Sequence, residues 1–158
     1  MKKRLADAKI ELFRGTCSFE SADTVRVGNT IVQAKHIVVA TGSTPKPLGI
    51  PGEHLCTSTE ALLEQNLVPE SVVFIGAGYI SMEFATVLTM TGVQTRLLEA
   101  MDQPLSGFDV DLVALGRKAW KAQGLEILTN LTVESITPKG DALDVRDSNG
   151  RIHTARMV

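Results

Sequence analysis

The sequence predicts an α/β fold: a Rossmann-like parallel sheet with flanking helices, joined to antiparallel β elements. Residues 71–75 form a compact apolar run of the kind that a parallel strand buried on both faces needs, and Gly76 follows it. From residue 71 the patterns alternate as strand, helix, strand, helix, strand, which is the order of a parallel sheet with helical crossovers. Short β-rich segments with turn residues precede and follow this unit.

The first forty residues predict a small antiparallel meander. Short β-rich runs alternate with turn residues at 10–14, 18–20, 24–27 and 30–33. Residues 35–40 predict a further strand, which runs into a turn rich in glycine and proline. Because prolines and glycines then follow in quick succession up to Gly52, we expect a connection between structural units there.

The second part alternates helical and strand patterns. Thr57-Ser58-Thr59-Glu60 has the form of a capping box with Thr57 as the cap, and it predicts a short helix that extends to Leu67. The next helix carries Ile80, Phe84, Val87 and Leu88 at helical spacing and ends before Gly92.

A strand over 94–99 precedes the last predicted helix. That helix is capped by Asp109, repeats apolar residues from Val110 onward and ends at Gly124. The remaining β segments are 126–128, 132–137, 143–146 and 152–158.

Composition and charge exclude several classes of partner. The chain has 158 residues, of which 44% are apolar, so length alone predicts one globular domain. The net charge is -2 and the charges are interspersed, which gives no case for a nucleic-acid or polybasic membrane partner. Neither a bilayer span nor the apolar segment of a signal peptide is present, so we expect a cytoplasmic protein.

Cysteine and histidine usage gives no support for a metal or thiol site. Cys17 and Cys56 lie too far apart for a CxxC or CxxxxC pair, and we interpret them as structural or incidental thiols. The three histidines are scattered without metal-ligand spacing, so no zinc site is predicted.

The most informative motif is the turn Gly76-Ala77-Gly78-Tyr79-Ile80-Ser81, between a predicted buried strand and a helix. Gly76 allows the sharp turn, and Gly78 has no side chain where a pyrophosphate would approach the backbone. The helix that starts there offers free amides and the positive end of its dipole. Ser81 replaces the third glycine of the usual pattern. The motif predicts a dinucleotide-binding turn.

Glu99 indicates which dinucleotide is bound. It stands at the end of the second strand, where a carboxylate can accept hydrogen bonds from a ribose 2′-hydroxyl and would repel a 2′-phosphate. No arginine lies between Ala100 and Ser106 to receive such a phosphate. These residues predict NAD(H) rather than NADP(H). The alternative is that the glycines only form a tight connection and Glu99 is a surface charge.

Tyr79 and Glu83 lie four residues apart and share one face of the first helix. From spacing alone, a core aromatic with a surface charge is as good an interpretation as a functional pair.

The sequence resembles the flavin-dependent pyridine nucleotide-disulfide oxidoreductases. The segments that carry the resemblance occur in family order over nearly the whole chain. They are residues 37–45 (IVVATGSTP), 50–52 (IPG), 57–62 (TSTEAL), 76–85 (GAGYISMEFA) and 107–109 (GFD).

The resemblance implies two domains and two cofactors. Residues 1–48 would be the C-terminal part of a split FAD-binding domain, and residues 49–158 an NAD(H)-binding Rossmann-like domain. Thr41 and Gly42 would lie near the flavin, whereas Tyr79 and Glu83 would face the nicotinamide. Members that use NADPH carry arginines at the positions of Ala100 and Ser106, so the residues found there agree with Glu99.

The departures from the family pattern are equally informative. This chain has no second glycine motif for FAD, no CxxxxC redox disulfide and no dimerisation domain with a catalytic His-Glu pair. We therefore interpret it as the middle of a full-length, homodimeric flavoenzyme that acts on a disulfide, with no catalytic residue in this chain. By itself it would bind the nicotinamide dinucleotide without turnover.

Two alternatives remain open at this point. One is a free-standing module that binds or senses NAD(H). The other is a fragment of an FAD-dependent NADH oxidase or a ferredoxin-type reductase.

Overall fold

The computed structural model describes residues 2–158, which divide into two compact units, one up to Thr44 and one from Pro45 to Val158. The first unit begins with helix α1 (Lys2–Asp7). An antiparallel sheet follows, in the order β1 (Cys17–Phe19), β2 (Thr24–Val27), β3 (Thr30–Gln33). The meander predicted for this part of the chain is therefore confirmed for these three strands.

Two predicted strands of the first unit are wrong. Residues 10–14 and 35–40 form no strand, and Val38 and Val39 are 86% and 65% exposed. A β-rich run becomes a strand only where a neighbouring strand accepts its backbone hydrogen bonds. Within the described part of the chain, neither run has such a neighbour.

The second unit contains the predicted parallel sheet, which confirms the α/β fold class. Its strands pair in the order β4 (Ser71–Ile75), β5 (Gln94–Leu98), β6 (Glu126–Leu128). The helices are α2 (Thr59–Leu63), α3 (Tyr79–Met90) and α4 (Val110–Ala122), and a 3-10 turn spans Glu53–Leu55. An antiparallel sheet follows, with β7 (Val133–Lys139), β8 (Ala142–Asp147) and β9 (Ile152–Ala155).

Successive residues of the parallel strands are buried against different layers. On β4, Val73 packs into a core shared with the antiparallel sheet, whereas Phe74 packs against the core beneath α3. On β5, Leu98 and Leu97 divide in the same way. Both strands thus contact two layers, and this burial on two sides explains the near-continuous apolar sequence of β4.

The segment after β9 extends the parallel sheet. Met157 forms a parallel bridge with Val72, and the carbonyl of Val158 accepts a hydrogen bond from the amide of Thr57. The single strand predicted for residues 152–158 is therefore two elements, because the chain changes partners after Ala155.

The helices also correct parts of the prediction. The cap of α2 is Ser58, whose hydroxyl accepts from the amide of Ala61, and not Thr57; the helix ends at Leu63 rather than Leu67. The buried residues of α3 are Met82 and Ala85, whereas Ile80 and Val87 of the predicted apolar face are 42% and 61% exposed.

In α4, the predicted cap and stop are both confirmed: Asp109 accepts from the amides of Asp111 and Leu112, and Gly124 has φ +91°. Only Val113 of its apolar residues is buried, and Val110 is 64% exposed. No helix in residues 2–158 is both long enough and apolar enough to cross a membrane.

Candidate functional site

The site is built around the glycine turn between β4 and α3. Gly76 has φ +91°, a left-handed conformation that side-chain-bearing residues rarely adopt. Its amide donates to the carbonyl of Leu98 at 2.7 Å, so the turn is tied to the end of β5. A β-carbon added at Gly76 or Gly78 would meet no atom within 4 Å. The backbone of the turn is therefore open to an approaching ligand.

The amino end of α3 lacks a side-chain cap. Gly78 occupies the cap position, and the first turn of the helix contains no acidic residue. In contrast, Ser58 caps α2 and Asp109 caps α4 with side-chain oxygens. The first amides of a helix have no acceptor within it, and their dipoles favour an anion. At α3 those donors are left for a ligand, as a pyrophosphate would require.

The carboxylate of Glu99 lies directly against this turn. Its Oε2 accepts from the amide of Ala77 at 2.6 Å, and its Oε1 accepts from the amide of Met101 at 2.8 Å. A carboxylate offers about four acceptor positions, so about two stay available for hydroxyl groups. The side chain is half-buried, and the two backbone bonds fix its orientation.

The loop after β5 closes back onto the same turn. The amide of Leu105 donates to the carbonyl of Ala77 at 2.9 Å, and Pro104 is fully buried. Leu105 itself has φ +53°, which is unusual for a leucine. Ala77 is 0% exposed and both of its backbone groups are used, one by Glu99 and one by Leu105.

Tyr79, Ile80 and Glu83 lie at the start of α3 and are exposed. Tyr79 is 60% exposed and Ile80 is 42% exposed. Tyr79 is therefore not a core aromatic, which removes one of the two interpretations of the Tyr79 and Glu83 pair. The structure brings these residues together with Gly76, Gly78 and Glu99 in one unit.

Thr41 and Gly42 belong to the first unit. Both are exposed, and Gly42 has φ +78° with open space where a side chain would stand. The site in the second unit is built without them.

Three backbone contributors were not predicted from the sequence. The contacts that organise the site involve the amides of Met101 and Leu105 and both backbone groups of Ala77, its N–H and its carbonyl. In the sequence, this loop is indicated only by the apolar pair Pro104-Leu105, which lies between polar residues. Backbone amides leave no pattern in the side-chain sequence.

The two cysteines, which the sequence predicts to be structural or incidental thiols, lie in different environments. Burial, and secondarily the charge of Glu53, raise the pKa of the Cys56 thiol. A raised pKa disfavours the thiolate, which is the reactive form. Cys17 is an exposed free thiol in the first unit.

Comparison with known proteins gives consistent matches. A family model described as pyridine nucleotide-disulphide oxidoreductase matches residues 1–158. A dihydrolipoyl dehydrogenase of Geobacillus stearothermophilus is 34% identical over 157 residues, covering 92% of this chain and 32% of the relative. A mercuric reductase of Bacillus cereus is 32% identical over 150 residues, covering 92% of this chain and 24% of the relative.

Among solved structures, a ferredoxin reductase from Rhodopseudomonas palustris has a TM-score of 0.80 at 22% identity. The match covers 100% of this chain and 42% of that protein, and it supports the fold. The chain thus spans about a third of the length of the dihydrolipoyl dehydrogenase and about a quarter of that of the mercuric reductase.

Proposed function

The chain belongs to the pyridine nucleotide-disulfide oxidoreductase family, and we propose that its residues 49–158 are the NAD(H)-binding domain of an FAD-dependent member. Residues 1–48 are proposed as the C-terminal part of the split FAD-binding domain. Family members are flavoprotein oxidoreductases that use FAD and nicotinamide dinucleotides.

One observation carries the proposal: the Glu99 carboxylate lies 2.6 Å from the amide of Ala77, in the middle of the glycine turn. A ribose acceptor and a set of free helix amides therefore stand side by side, as the sugar and the pyrophosphate of one dinucleotide require. The open space at Gly76 and Gly78 fits the same ligand.

Each proposed residue has one role. Gly78 and the first amides of α3 would bind the pyrophosphate, and Glu99 would accept from the ribose hydroxyls. Tyr79 and Glu83 would face the nicotinamide from the exposed side of α3, with Ile80 beside them. Thr41 and Gly42 would contact the flavin. The bound dinucleotide would supply the hydride that the full-length protein passes between nicotinamide and FAD.

The preference for NAD(H) follows from charge. A 2′-phosphate would stand beside the Glu99 carboxylate, and Ala100 and Ser106 offer no positive charge in exchange. We further propose that the full-length enzyme acts on a disulfide, as the description of the matching family implies, and that it is a homodimer, as the resemblance to that family implies.

Titration with NADH and NADPH tests the proposal. The chain has one tryptophan, Trp120, which packs against the core beneath the turn, and energy transfer from it to the dihydronicotinamide reports both ligands equally. We expect NADH to bind at least about tenfold more tightly, since one charge-assisted hydrogen bond is worth about 1.5–3 kcal/mol.

The variant Glu99→Ala should weaken NADH binding by about tenfold and bring the two affinities close together. Asp102→Ala is the matched control, because Asp102 is an exposed carboxylate on the same loop and its loss should leave the preference unchanged. Equal or tighter binding of NADPH by the unaltered chain would contradict the NAD(H) assignment.

A further inference from the structure

We infer that Leu105 is a positioning residue for dinucleotide selection. Its backbone ties the loop 100–106 to the glycine turn and so prevents Glu99 from moving away from a 2′-phosphate. The inference rests on the proposed NAD(H) site and adds a residue that makes no contact with the ligand itself.

The loop is closed on a single residue. Ala77 receives Glu99 at its amide and Leu105 at its carbonyl, at 2.6 Å and 2.9 Å. Both ends of the segment 99–105 are therefore fixed to one fully buried residue. In the middle of the segment, the carbonyl of Met101 accepts from the amide of Asn130 at 2.9 Å, which ties the loop to the segment after β6 as well.

The backbone of Leu105 is held against its own preference. A left-handed conformation is unfavourable for a leucine, and it persists only where the surroundings determine it. The leucine side chain packs against the core of Ala77, Met82 and Leu97, and the preceding Pro104 is fully buried. The carbonyl of Leu105 also accepts from the amide of Phe108 at 2.8 Å. Apolar packing and these two hydrogen bonds together keep the strained turn in place.

The loop must be fixed because the negative charge of Glu99 discriminates against NADP(H) only if the carboxylate cannot turn away from the 2′-phosphate. The Glu99 carboxylate is bonded to the amide of Met101, so it moves with the loop. While Leu105 holds the loop on Ala77, the carboxylate stays where a 2′-phosphate would meet it. The backbone of Glu99 is held without Leu105, by hydrogen bonds to Leu128 and Leu131. Release of the Leu105 tie would therefore loosen the Glu99 side chain and not its backbone, which lowers the penalty for the phosphate and also the preorganisation for the hydroxyl.

The variant Leu105→Ala tests the inference, because it removes the packing and keeps the strain. In the 158-residue chain we expect the Kd for NADH to rise about fivefold while that for NADPH changes little, so that the ratio of the two falls about fivefold. Leu112→Ala is the matched control: Leu112 is 66% exposed on α4, and its truncation should leave both affinities unchanged.

Two readouts separate positioning from a general loss of stability. A purely structural role for Leu105 would lower the Tm and weaken both dinucleotides in equal proportion, leaving their ratio unchanged; that result would overturn the inference. Leu105→Met keeps an apolar side chain of similar volume and should restore the ratio.

Hydrogen exchange on the unaltered chain gives a measurement that needs no folded variant. The amide of Leu105 should be strongly protected, in keeping with its bond to Ala77, and rapid exchange there would also overturn the inference. If the unaltered chain bound neither dinucleotide, the proposed function would fail instead, so the two failures are distinguishable.

Discussion

Asp147 is a fully buried carboxylate whose two oxygens both accept hydrogen bonds. Its Oδ1 accepts from the amides of Asn149 and Arg151, and its Oδ2 lies 2.8 Å from Nε2 of His153. Arg96 has only donors and lies 3.3 Å from Nδ1 of the same ring, so Nδ1 accepts and Nε2 donates to Asp147. This cluster joins the β8–β9 turn to strand β5 of the parallel sheet.

The pKa of Asp147 is lowered by these contacts. Burial by itself raises it, but the hydrogen bonds from His153 and from the Arg151 and Asn149 amides outweigh burial. Because the folded pKa lies below the unfolded value, the stabilisation is complete above about pH 4 and is lost as the pH falls through the folded pKa.

The variant Asp147→Asn should lower the free energy of unfolding by about 2 kcal/mol at pH 7, since it leaves buried donors with one acceptor fewer. The loss of stability below pH 4 should also become less steep. Urea unfolding across the acid range measures both effects. Asp141→Asn is the control, because that carboxylate is 88% exposed in an ion pair with Arg156 and should contribute little. An unchanged acid profile would contradict the assignment of the shift to Asp147.

At the scale of elements, α4 depends on a glycine in its middle. The ring of Trp120 lies across Gly116, one turn earlier, where a β-carbon would stand 2.6 Å from Cη2 of the indole. Trp120 packs with Leu97 and Leu125 beneath α3. A residue that usually weakens a helix is here the one that lets the tryptophan reach the core.

Gly116→Ala should therefore destabilise the protein although alanine favours helices. Overpacking costs about 1–3 kcal/mol, and the gain in helix propensity is about 1 kcal/mol, so we expect a net loss of about 1 kcal/mol in urea unfolding. Trp120 fluorescence should shift at the same time. Gly107→Ala is the control, because a β-carbon there meets nothing within 4 Å. A stabilised Gly116→Ala variant would show that the ring moves aside freely.

At the scale of the whole molecule, the two units carry different parts of the proposed function. The second contains the glycine turn, Glu99 and the loop at Leu105, all held by contacts within that unit. The first contains Thr41 and Gly42, which are exposed. Apolar side chains such as Phe19 and Ile31 are also more than half exposed on its small sheet.

We predict that the 158 residues bind NADH but neither retain FAD tightly nor reduce a disulfide, because the segments for the second glycine motif and the redox cysteines are not among them. Flavin absorbance after gel filtration and NADH-dependent reduction of a small disulfide are the measurements. A dihydrolipoyl dehydrogenase in parallel is the positive control. Stoichiometric flavin retention or turnover by the isolated chain would refute the prediction.

Local sequence patterns were sufficient for much of the second unit. The boundaries of β4, the Asp109 cap and the stop at Gly124 follow from residues within a few positions of each element. The glycine turn and Glu99 were also recognised from sequence spacing, because the distance between them along the chain reflects one strand, one helix and one strand. The predicted strand at 35–40 failed, since a strand also needs a partner that local sequence does not specify.

The sequence by itself determined the fold class, the family and the residue types of the candidate site. Only the tertiary structure decided how those residues are held. The carboxylate of Glu99 accepts from the amide of Ala77, 22 positions away, and the amide of the strained Leu105 donates to the carbonyl of Ala77. The physical reason is that side-chain periodicity and glycine placement act within a few residues of the chain. Hydrogen bonds to backbone amides and the packing that supports strain depend on which distant segments meet.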